Sequence, residues 1–389
     1  MGHLENKNMI PKYGTCLHHY TDSPPSQSAP HLHLRTESNL IKKLNFFDCI
    51  YCLISYLESS TKPDLSPKSI HRRAAMSYRA GKTILASTIA KKYSEELTSV
   101  TSKMATKPKL VGLLGNQDPA AKTYAEWTAR TCESLGFQYE LIQCPKENLE
   151  DEIYKCNQDD AVNGIMVYFP VYNDGQDQYL QQCVSIEKDV EGLNFKYVSN
   201  MYHNIRYLDA PENTKKSILP CTPLAMVKIL EYLGVYNTLL PYGNRLFGKT
   251  ITIVNRSEIV GRPLAALLAN DGATVYSVDI NNVQKFERGD GLQLKSHRVV
   301  DTEFELKDVA PKSDVIITGV PSSNYKFPLE YVKDGAVVIN FSSEKNFDDR
   351  IKDIASLYVP SIGKVTIAML LRNLLRLMNN KKPHSVEEI

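Results

Sequence analysis

Residues 250–270 read T-I-T-I-V-N-R-S-E-I-V-G-R-P-L-A-A-L-L-A-N, and this stretch decides the fold of the second half of the chain. Residues 250–255 are mostly β-branched and predict a strand, whereas residues 263–270 have the composition of a helix. A tight turn must join the two. The next strand is predicted at residues 273–279, so the order strand, turn, helix, strand indicates a Rossmann-like dinucleotide unit.

The turn from Asn255 to Gly261 is a candidate dinucleotide site. Backbone N–H groups at a strand-to-helix turn, together with the helix dipole, can hold a pyrophosphate. Gly261 is the turn's one glycine, so the turn does not follow G-x-G-x-x-G and an ordinary βα turn is almost as compatible. Asp279 ends the next strand, 24 residues after Asn255, near the spacing of a carboxylate that binds adenosine ribose hydroxyls. The alternative for Asp279 is a solvated residue at a strand end.

The rest of the chain after residue 76 also alternates short apolar strands with helical segments. Strands are predicted at 109–114, 139–144, 164–169, 314–319 and 336–341. Helices are predicted at about 120–135, 149–157, 178–184, 222–233 and 364–378. Thr222 is a good N-cap, and Pro223 suits the first helical position. This alternation predicts an α/β fold with parallel sheets in two domains.

Composition excludes several classes of protein. The chain has 389 residues, which is enough for two domains. A net charge of +2 implies no nucleic-acid partner. The longest apolar candidate, residues 44–57, is short and carries Asp48, so no membrane span is predicted. Eight cysteines without regular spacing favour free thiols in a reducing compartment, and we expect a cytoplasmic protein.

The first 75 residues have a composition of their own. Six of the nine histidines precede residue 76, and proline-containing segments break the region. Cys49 and Cys52 have the spacing of zinc ligands, but they lie in an apolar stretch with no second pair, so we expect no metal. Such a segment buries too little apolar surface to order itself, and residues 1–75 are predicted to be a poorly ordered extension. A targeting role is the alternative, which Glu5, Asp22 and Glu37 weaken.

Four motifs together carry a resemblance to a known family. They are T-Y-A-E-W-T at 123–128, K-D-V-E-G-L at 188–193, P-C-T-P at 220–223 and N-R-S-E-I-V-G-R-P at 255–263. In this order and spacing the chain resembles the methylenetetrahydrofolate dehydrogenase/cyclohydrolase family over about residues 78–379. It is most similar to the monofunctional, NAD-dependent fungal branch. Most members have a lysine where this chain has Thr128.

The resemblance implies a folate site in the first domain. Tyr124 is expected to pack against the folate, and Glu191 to accept hydrogen bonds from the pterin ring. Tyr168 replaces a glutamine that supports the missing lysine in bifunctional relatives. Cys221 is expected to border the active site, although hydride transfer needs no nucleophilic thiol. The expected catalytic residues are Tyr124, Glu191 and Cys221, and the expected substrate contacts are Tyr124, Tyr168, Glu191 and Gly363.

The cofactor implied by the resemblance is NAD. The residues expected to contact it are Arg256, Ser257, Gly261, Asp279, Gly319, Val320 and Pro321. Relatives that use NADP place neutral or basic residues after the strand that Asp279 ends, so the acid here points to NAD. The alternative for Gly319 and Gly363 is that they only set turns in loops.

These inferences give one expected function and three alternatives. We expect NAD-dependent oxidation of 5,10-methylenetetrahydrofolate in one-carbon metabolism and purine biosynthesis, without cyclohydrolase activity, by a homodimer. The catalytic domain is predicted at residues 76–235, completed by a C-terminal helix at 362–380, and the Rossmann-like domain at 236–361. The alternatives are a bifunctional dehydrogenase/cyclohydrolase, a Rossmann dehydrogenase for another small substrate, and a non-catalytic regulator that binds folate or NAD.

Overall fold

The computed structural model describes residues 81–288 and 296–382. The predicted extension, residues 1–75, lies outside the described residues, together with Cys49 and Cys52. Within the described ranges no helix is both long enough and apolar enough to cross a membrane. The same ranges hold no group of three or more His, Cys, Asp or Glu side chains placed to bind a metal ion.

Strands and helices alternate along the described chain, as predicted. The strands are β1 (Lys82–Thr83), β2 (Lys109–Leu114), β3 (Gln138–Gln143), β4 (Gly164–Val167), β5 (Thr250–Val254), β6 (Thr274–Val278), β7 (Val283–Glu287), β8 (Arg298–Thr302), β9 (Val315–Thr318), β10 (Val337–Asn340) and β11 (Leu357–Val359). The helices are α1 (Ala86–Thr101), α2 (Pro119–Ser134), α3 (Leu149–Gln158), α4 (Gly175–Cys183), α5 (Phe195–Tyr202), α6 (Cys221–Tyr232), α7 (Gly261–Asn270), α8 (Leu306–Val309), α9 (Ile351–Ile354) and α10 (Gly363–Lys381).

The first lobe is built on a parallel sheet of three strands in the order β3-β2-β4. Strands β2 and β4 are buried along almost their whole length, which is why they read as continuous apolar runs. Strand β3 is largely exposed and lies at the edge. Helices α2 and α3 follow β2 and β3, as expected of βαβ connections.

The second lobe contains a sheet of eight strands in the order β1-β11-β10-β9-β5-β6-β7-β8. The strands from β1 to β6 pair in parallel, and this part confirms the predicted Rossmann-like unit. Strands β7 and β8 extend the sheet in antiparallel pairing and were not predicted. Their residues are half exposed and mixed in character, so neither carries a clear strand pattern.

The C-terminal helix α10 leaves the second lobe at Gly363 and returns to the first. It packs mainly against α1 and α6, as the resemblance implied. One stripe of α10 is buried, including Leu370, Leu374 and Leu377. Asn373 lies in the same stripe and is completely buried. Helix α10 therefore connects the two lobes. It also covers the two loops of the site described below, which carry Glu191 and Cys221.

Several predicted element ends differ from the structure, and hydrogen bonds explain two of these differences. Helix α6 begins at Cys221, with Pro220 as its N-cap residue, and Thr222 makes no capping hydrogen bond. The N–H of Cys221 donates instead to the carbonyl of Glu191 at 3.0 Å, so a neighbouring loop satisfies the start of the helix. Strand β4 ends at Val167 and not at residue 169, because the N–H of Phe169 turns back onto the carbonyl of Val167.

A buried lysine, Lys188, fixes the path of the segment that runs beside β4. The ammonium group of Lys188 donates to the carbonyls of Cys156, Asn157 and Asp159 at 2.7 to 2.9 Å. These carbonyls lie at the C-terminal end of α3, where helical acceptors lack partners within the helix. The carbonyl of Lys188 in turn accepts from Ile165 in β4 at 2.8 Å, so the segment that follows runs beside β4.

We expect Lys188→Met to lower the free energy of unfolding by about 2 to 4 kcal/mol, because it leaves buried carbonyls without a charged donor. Urea unfolding followed by circular dichroism measures this loss. Lys196→Met is the matched control, since Lys196 is exposed and its ammonium group makes no hydrogen bond within the described residues. Equal stability of the two variants would contradict the anchoring role of Lys188.

Candidate active site

Two tyrosine rings meet at the carboxyl end of the first sheet. Asp118 caps α2 by accepting from Ala120 at 3.0 Å, and this cap places Tyr124 in the second turn of the helix. The ring of Tyr168, directly after β4, lies edge-on to the ring of Tyr124, with centroids 6.1 Å apart. Burial raises the pKa of Tyr124 well above its usual range, so it is a neutral aromatic surface at any physiological pH.

A cluster of hydroxyl groups lies behind these rings. Thr128 is completely buried, and its hydroxyl donates to the carbonyl of Tyr124 at 2.8 Å. The hydroxyls of Tyr139 and Tyr168 are 2.7 Å apart. Burial raises the pKa of Tyr168 to about 12, although hydrogen bonds with Tyr139 and Thr128 act in the opposite direction. The position that holds a lysine in most of the family is therefore occupied by an uncharged, closed cluster.

Tyr139 was missed by sequence reasoning. It lies on the exposed edge strand β3, and its hydroxyl reaches the site across β2. Gly112 in β2 makes this possible, because a Cβ at that position would lie 2.4 Å from the Tyr139 hydroxyl oxygen. The contact depends on the pairing of two strands, and no local sequence pattern predicts it.

Glu191 is the acidic group of the site. One of its carboxyl oxygens accepts from the N–H of Val167 at 2.9 Å, which holds the side chain at the end of β4. Burial raises the pKa of Glu191 to about 8, and the neighbouring Asp189 acts in the same direction. At neutral pH, without a ligand, this carboxyl is mostly protonated. Donors from a bound ring would favour its charged form.

Asp189 has a structural role in the same loop. Its carboxylate is buried and accepts from the N–H groups of Gly192 and Asn194, both at 2.8 Å. Gly192 has a φ of +73°, and a Cβ there would lie 2.8 Å from the carbonyl of Leu219. The loop therefore turns tightly against the segment that leads into α6, and Asp189 fixes that turn.

Cys221 borders the site, as the resemblance implied. Its thiol is buried, and burial together with Glu191 raises its pKa well above the usual range of a cysteine. The N–H of Cys221 donates to the carbonyl of Glu191 at 3.0 Å, and both side chains add to the effect of burial in raising the pKa of Tyr124. A thiol that stays protonated is a poor nucleophile, so Cys221 contributes shape and polarity to the wall of the site.

Asn373 of α10 holds the two loops of the site together. Its amide nitrogen donates to the carbonyls of Val190 and Leu219, each at 2.9 Å. Val190 precedes Glu191, and Leu219 lies two residues before Cys221. Sequence reasoning missed this residue, although a single asparagine in an apolar helical stripe was a usable signal.

The cofactor turn is organised by Asn255. Its side-chain oxygen accepts from the N–H of Ser257 at 2.9 Å, and its amide nitrogen donates to the carbonyl of Gly319 at 2.8 Å. The hydroxyl of Ser257 accepts from the N–H of Gly261 at 3.3 Å. A Cβ on Gly261 would lie 2.0 Å from the carbonyl oxygen of Asn255, so only glycine fits at the start of α7.

Arg256 and Asp279 meet at the turn after β6. The Arg256 guanidinium donates to the hydroxyl and carbonyl of Ser277 and to the side chain and carbonyl of Asn282. It therefore ties the turn down and does not point freely into the site. Asp279 is exposed at the end of β6, and one of its oxygens accepts from the N–H of Ile280 at 2.8 Å.

The segment Gly319-Val320-Pro321 is held in place by buried neighbours. A Cβ on Gly319 would lie 1.9 Å from the ring of Phe341, so a side chain is excluded there. Asn346 accepts from the N–H of Val320 at 2.8 Å and donates to its carbonyl at 2.9 Å. Gly363, by contrast, begins α10 with open space around its missing Cβ, so packing does not require glycine at that position.

These features fit a nicotinamide dinucleotide. Gly261 and Gly319 both lie just beyond the carboxyl ends of neighbouring parallel strands, where dinucleotides bind in folds of this kind. Both glycines are buried, and the close packing around them fixes the two loops at this end of the sheet. The carboxylate of Asp279 lies at the end of the adjacent strand, where it can accept hydrogen bonds from ribose hydroxyls.

Comparison with known proteins places both lobes in one family. The profile described as tetrahydrofolate dehydrogenase/cyclohydrolase, catalytic domain, matches residues 81–191. The profile of the family's NAD(P)-binding domain matches residues 220–288.

Similar proteins extend this match to most of the chain. A protein of Schizosaccharomyces pombe named methylenetetrahydrofolate dehydrogenase [NAD(+)] is 69% identical over 297 residues, which are 76% of this chain and 92% of that protein. A protein of Dictyostelium discoideum with the same name is 48% identical over 296 residues, 75% of this chain and 93% of that protein. The solved structure of the NAD-dependent 5,10-methylenetetrahydrofolate dehydrogenase of Saccharomyces cerevisiae is 60% identical, with a TM-score of 0.75, over 78% of this chain and 98% of that one.

We expect Asn373→Leu to lower the pKa of Glu191 from about 8 toward its ordinary value near 4.5. Without the two amide hydrogen bonds the loops separate and water reaches the carboxyl, which removes the cause of the shift. An NMR titration with glutamate labelled at the side-chain carboxyl measures the change. Asn380→Leu is the control on the same helix, since its amide donates only to Lys216. An unchanged Glu191 titration in Asn373→Leu would contradict the clamp.

We expect Asp279→Ser to weaken the binding of NAD and to narrow the difference in affinity between NAD and NADP. A carboxylate facing a 2′-phosphate is a like-charge contact that costs several kcal/mol when partly desolvated. Titration calorimetry with both dinucleotides measures the ratio. Asp334→Ser removes an exposed carboxylate before β10, at the opposite edge of the sheet, and should leave the ratio unchanged. The same ratio in Asp279→Ser and in the unmodified protein would rule out Asp279 as the selector.

Proposed function

The chain belongs to the tetrahydrofolate dehydrogenase/cyclohydrolase family, and we propose that it oxidises 5,10-methylenetetrahydrofolate to 5,10-methenyltetrahydrofolate with NAD and has lost the cyclohydrolase step. Its high identity to proteins named as NAD-dependent dehydrogenases supports the first part. The observation that carries the second part is the buried Thr128, closed behind Tyr124 and Tyr168.

The site's residues bind and align the folate. The Tyr124 ring offers a flat apolar face for the pterin, and Glu191 offers a carboxyl to its ring N–H and amino groups. When bound, NAD⁺ supplies the hydride acceptor. The bridging carbon of the folate becomes positively charged as the hydride leaves. A neutral aromatic face and the Glu191 carboxylate favour that charge, so alignment and electrostatics suffice for this step.

Hydrolysis of the methenyl product makes a different demand. Water must add to the methenyl carbon, and a proton must be managed as the ring opens. A lysine with a tuned pKa can move that proton, whereas a threonine hydroxyl does not titrate near neutrality. Here the hydroxyl of Thr128 is already committed to the carbonyl of Tyr124. Tyr168, in place of the supporting glutamine, is committed to Tyr139.

We also propose a cytoplasmic homodimer whose catalytic domain spans residues 76–235 and 362–380 and whose cofactor domain spans residues 236–361. All five cysteines in the described part of the chain are free thiols, which supports a reducing compartment. The contacts of α10 with α1 and α6 support its assignment to the catalytic domain. The dimer follows from the family resemblance, and sedimentation of the purified protein tests it.

A steady-state assay tests the proposed dehydrogenase function. Reduction of NAD and of NADP is followed in parallel with methylenetetrahydrofolate as substrate, and turnover with a marked preference for NAD is expected. Binding of both ligands without turnover would instead identify a regulator. Turnover with another small substrate but no affinity for a folate analogue would identify a different Rossmann dehydrogenase.

We expect kcat/KM for the folate to rise with pH through about 8, the pKa of Glu191, and to level off above it. Below the Glu191 pKa of about 8 the free protein must release a proton before its carboxylate can meet the pterin donors. Glu191→Gln should lower kcat/KM and remove this dependence. The effect of pH on stability has the opposite sign. The pKa of Glu191 in the folded protein lies above its ordinary value of 4.5. Ionisation of Glu191 therefore lowers the free energy of unfolding of the unliganded protein as the pH rises between these two values. A flat kcat/KM profile from pH 6 to 9 would contradict this role.

We expect the unmodified protein to hydrolyse methenyltetrahydrofolate no faster than buffer does. Thr128→Lys alone should restore little activity, because the buried pocket is closed by Tyr168. Thr128→Lys together with Tyr168→Gln should restore measurable hydrolysis, and Tyr168→Gln alone is the control. The rate is followed as loss of the methenyl compound. Robust hydrolysis by the unmodified protein would contradict the proposed loss.

A further inference from the structure

A second cleft lies along α6, away from the active site. It has a volume of about 720 Å³, which is within the range of small-molecule sites. Its apolar wall includes Leu224 and Val227 of α6 and Leu267 of α7. None of the residues of the tyrosine cluster, the Glu191 loop or the cofactor turn lines this cleft. The folate and dinucleotide sites therefore do not account for it.

The lining of the cleft is strongly basic. Six of its side chains are cations: Arg206, Lys216, Lys228, Arg245, Arg372 and Arg376. Two are acids, and both already have partners. Glu231 pairs with Lys228 at 2.8 Å. Asp271 accepts from the hydroxyl of Tyr236 at 2.9 Å and lies 3.6 Å from the Arg206 guanidinium. The lining thus keeps an excess of positive charge after its internal pairs are counted.

Two of these cations, Arg376 and Lys216, form neither a hydrogen bond nor an ion pair among the described residues, although the charge of Glu96 acts on Arg376. Arg376 is half-buried, and its guanidinium makes no hydrogen bond or ion pair with any residue in 81–288 or 296–382. The ammonium group of Lys216 is likewise unpaired within these ranges. Burial, with Arg372 close by, lowers the pKa of Arg376. A half-buried charge without a partner is costly, and a bound anion would remove that cost.

Aromatic side chains complete the lining. Tyr242 lies beneath the Arg245 guanidinium, 3.9 Å from the ring centroid, and its ring is 66% exposed. Tyr207 and Tyr236 also face the cleft. A guanidinium held over an aromatic ring is preorganised to bind phosphate or carboxylate groups and a flat apolar group beside them.

We propose that this cleft binds a small organic dianion, in which a phosphate or carboxylate head is attached to a flat apolar body. The head lies between Arg376 and Lys216, and the body packs on the apolar wall of α6 and α7. Helices α6 and α7 belong to different lobes, so the bound molecule would contact both.

Titration calorimetry on the full chain, with saturating NAD to block the dinucleotide site, tests the proposal. The probes are phenyl phosphate, phthalate and inorganic phosphate. Phenyl phosphate or phthalate should bind at one site, at least tenfold more tightly than inorganic phosphate. Arg376→Gln should weaken that binding at least tenfold. Arg350→Gln, an exposed arginine paired with Asp348, should leave it unchanged.

Several results would overturn the proposal. The first is that neither phenyl phosphate nor phthalate binds. The second is that Arg376→Gln, with unaltered circular dichroism, binds them as tightly as the unmodified protein does. The third is that inorganic phosphate binds as tightly as the aromatic probes. Conversion of a dimer to a monomer by Arg376→Gln, seen in sedimentation, would identify the cleft as a subunit interface. Binding that emerges only in a chain ending at Lys382 would identify residues 383–389, which include Glu387 and Glu388, as the occupant.

Discussion

The active site depends on one amide group in the C-terminal helix. Asn373 donates to the carbonyls of Val190 and Leu219 and supports the direct hydrogen bond from the N–H of Cys221 to the carbonyl of Glu191. Its own side-chain oxygen is buried without a hydrogen-bond partner among the described residues, which lowers the free energy of unfolding. Because α10 starts in the second lobe, the same contact also ties the loops that carry Glu191 and Cys221 to the lobe that holds the predicted cofactor turn.

Closure of the hydroxyl cluster is the structural basis for the proposed loss of hydrolysis with retention of hydride transfer. In the proposed reaction the hydride step needs a flat face and a carboxyl in fixed positions, and Tyr124 and Glu191 are the groups proposed for these tasks. Hydrolysis needs a proton carrier beside the bridging carbon. Thr128, Tyr139 and Tyr168 instead satisfy one another and the backbone, so neither a charge nor a free donor is present at that position.

Sequence predicted the parts of this structure that depend on local pattern. The apolar strands β2, β4, β5 and β9 and the turn before α7 follow from composition and order along the chain, and the roles of Tyr124, Glu191 and Asp279 stay predictions from the family motifs. Long-range contacts were missed. Tyr139 reaches the site only because β3 pairs with β2 at Gly112, and Asn373 acts on loops more than 150 residues away.

Arg256 shows the same limit of prediction from sequence, because its hydrogen-bond partners are also distant in the chain. The resemblance implied that it contacts NAD, but its guanidinium donates to Ser277 and Asn282. Which partner a long charged side chain chooses depends on the turn after β6, and that turn was not predictable from the motif. The helix start at Cys221 has a similar origin, because the carbonyl of Glu191 replaces a local cap.

The central claim is that this site performs hydride transfer and stops there. The most direct measurement is the product balance of a single reaction with NAD and methylenetetrahydrofolate, in which NADH, the methenyl product and the ring-opened formyl product are quantified over time. The account predicts that methenyl and formyl products together equal NADH, with the formyl product forming from the methenyl product only at the rate measured in buffer. Formyl product that keeps pace with NADH, without accumulation of the methenyl form, would contradict it.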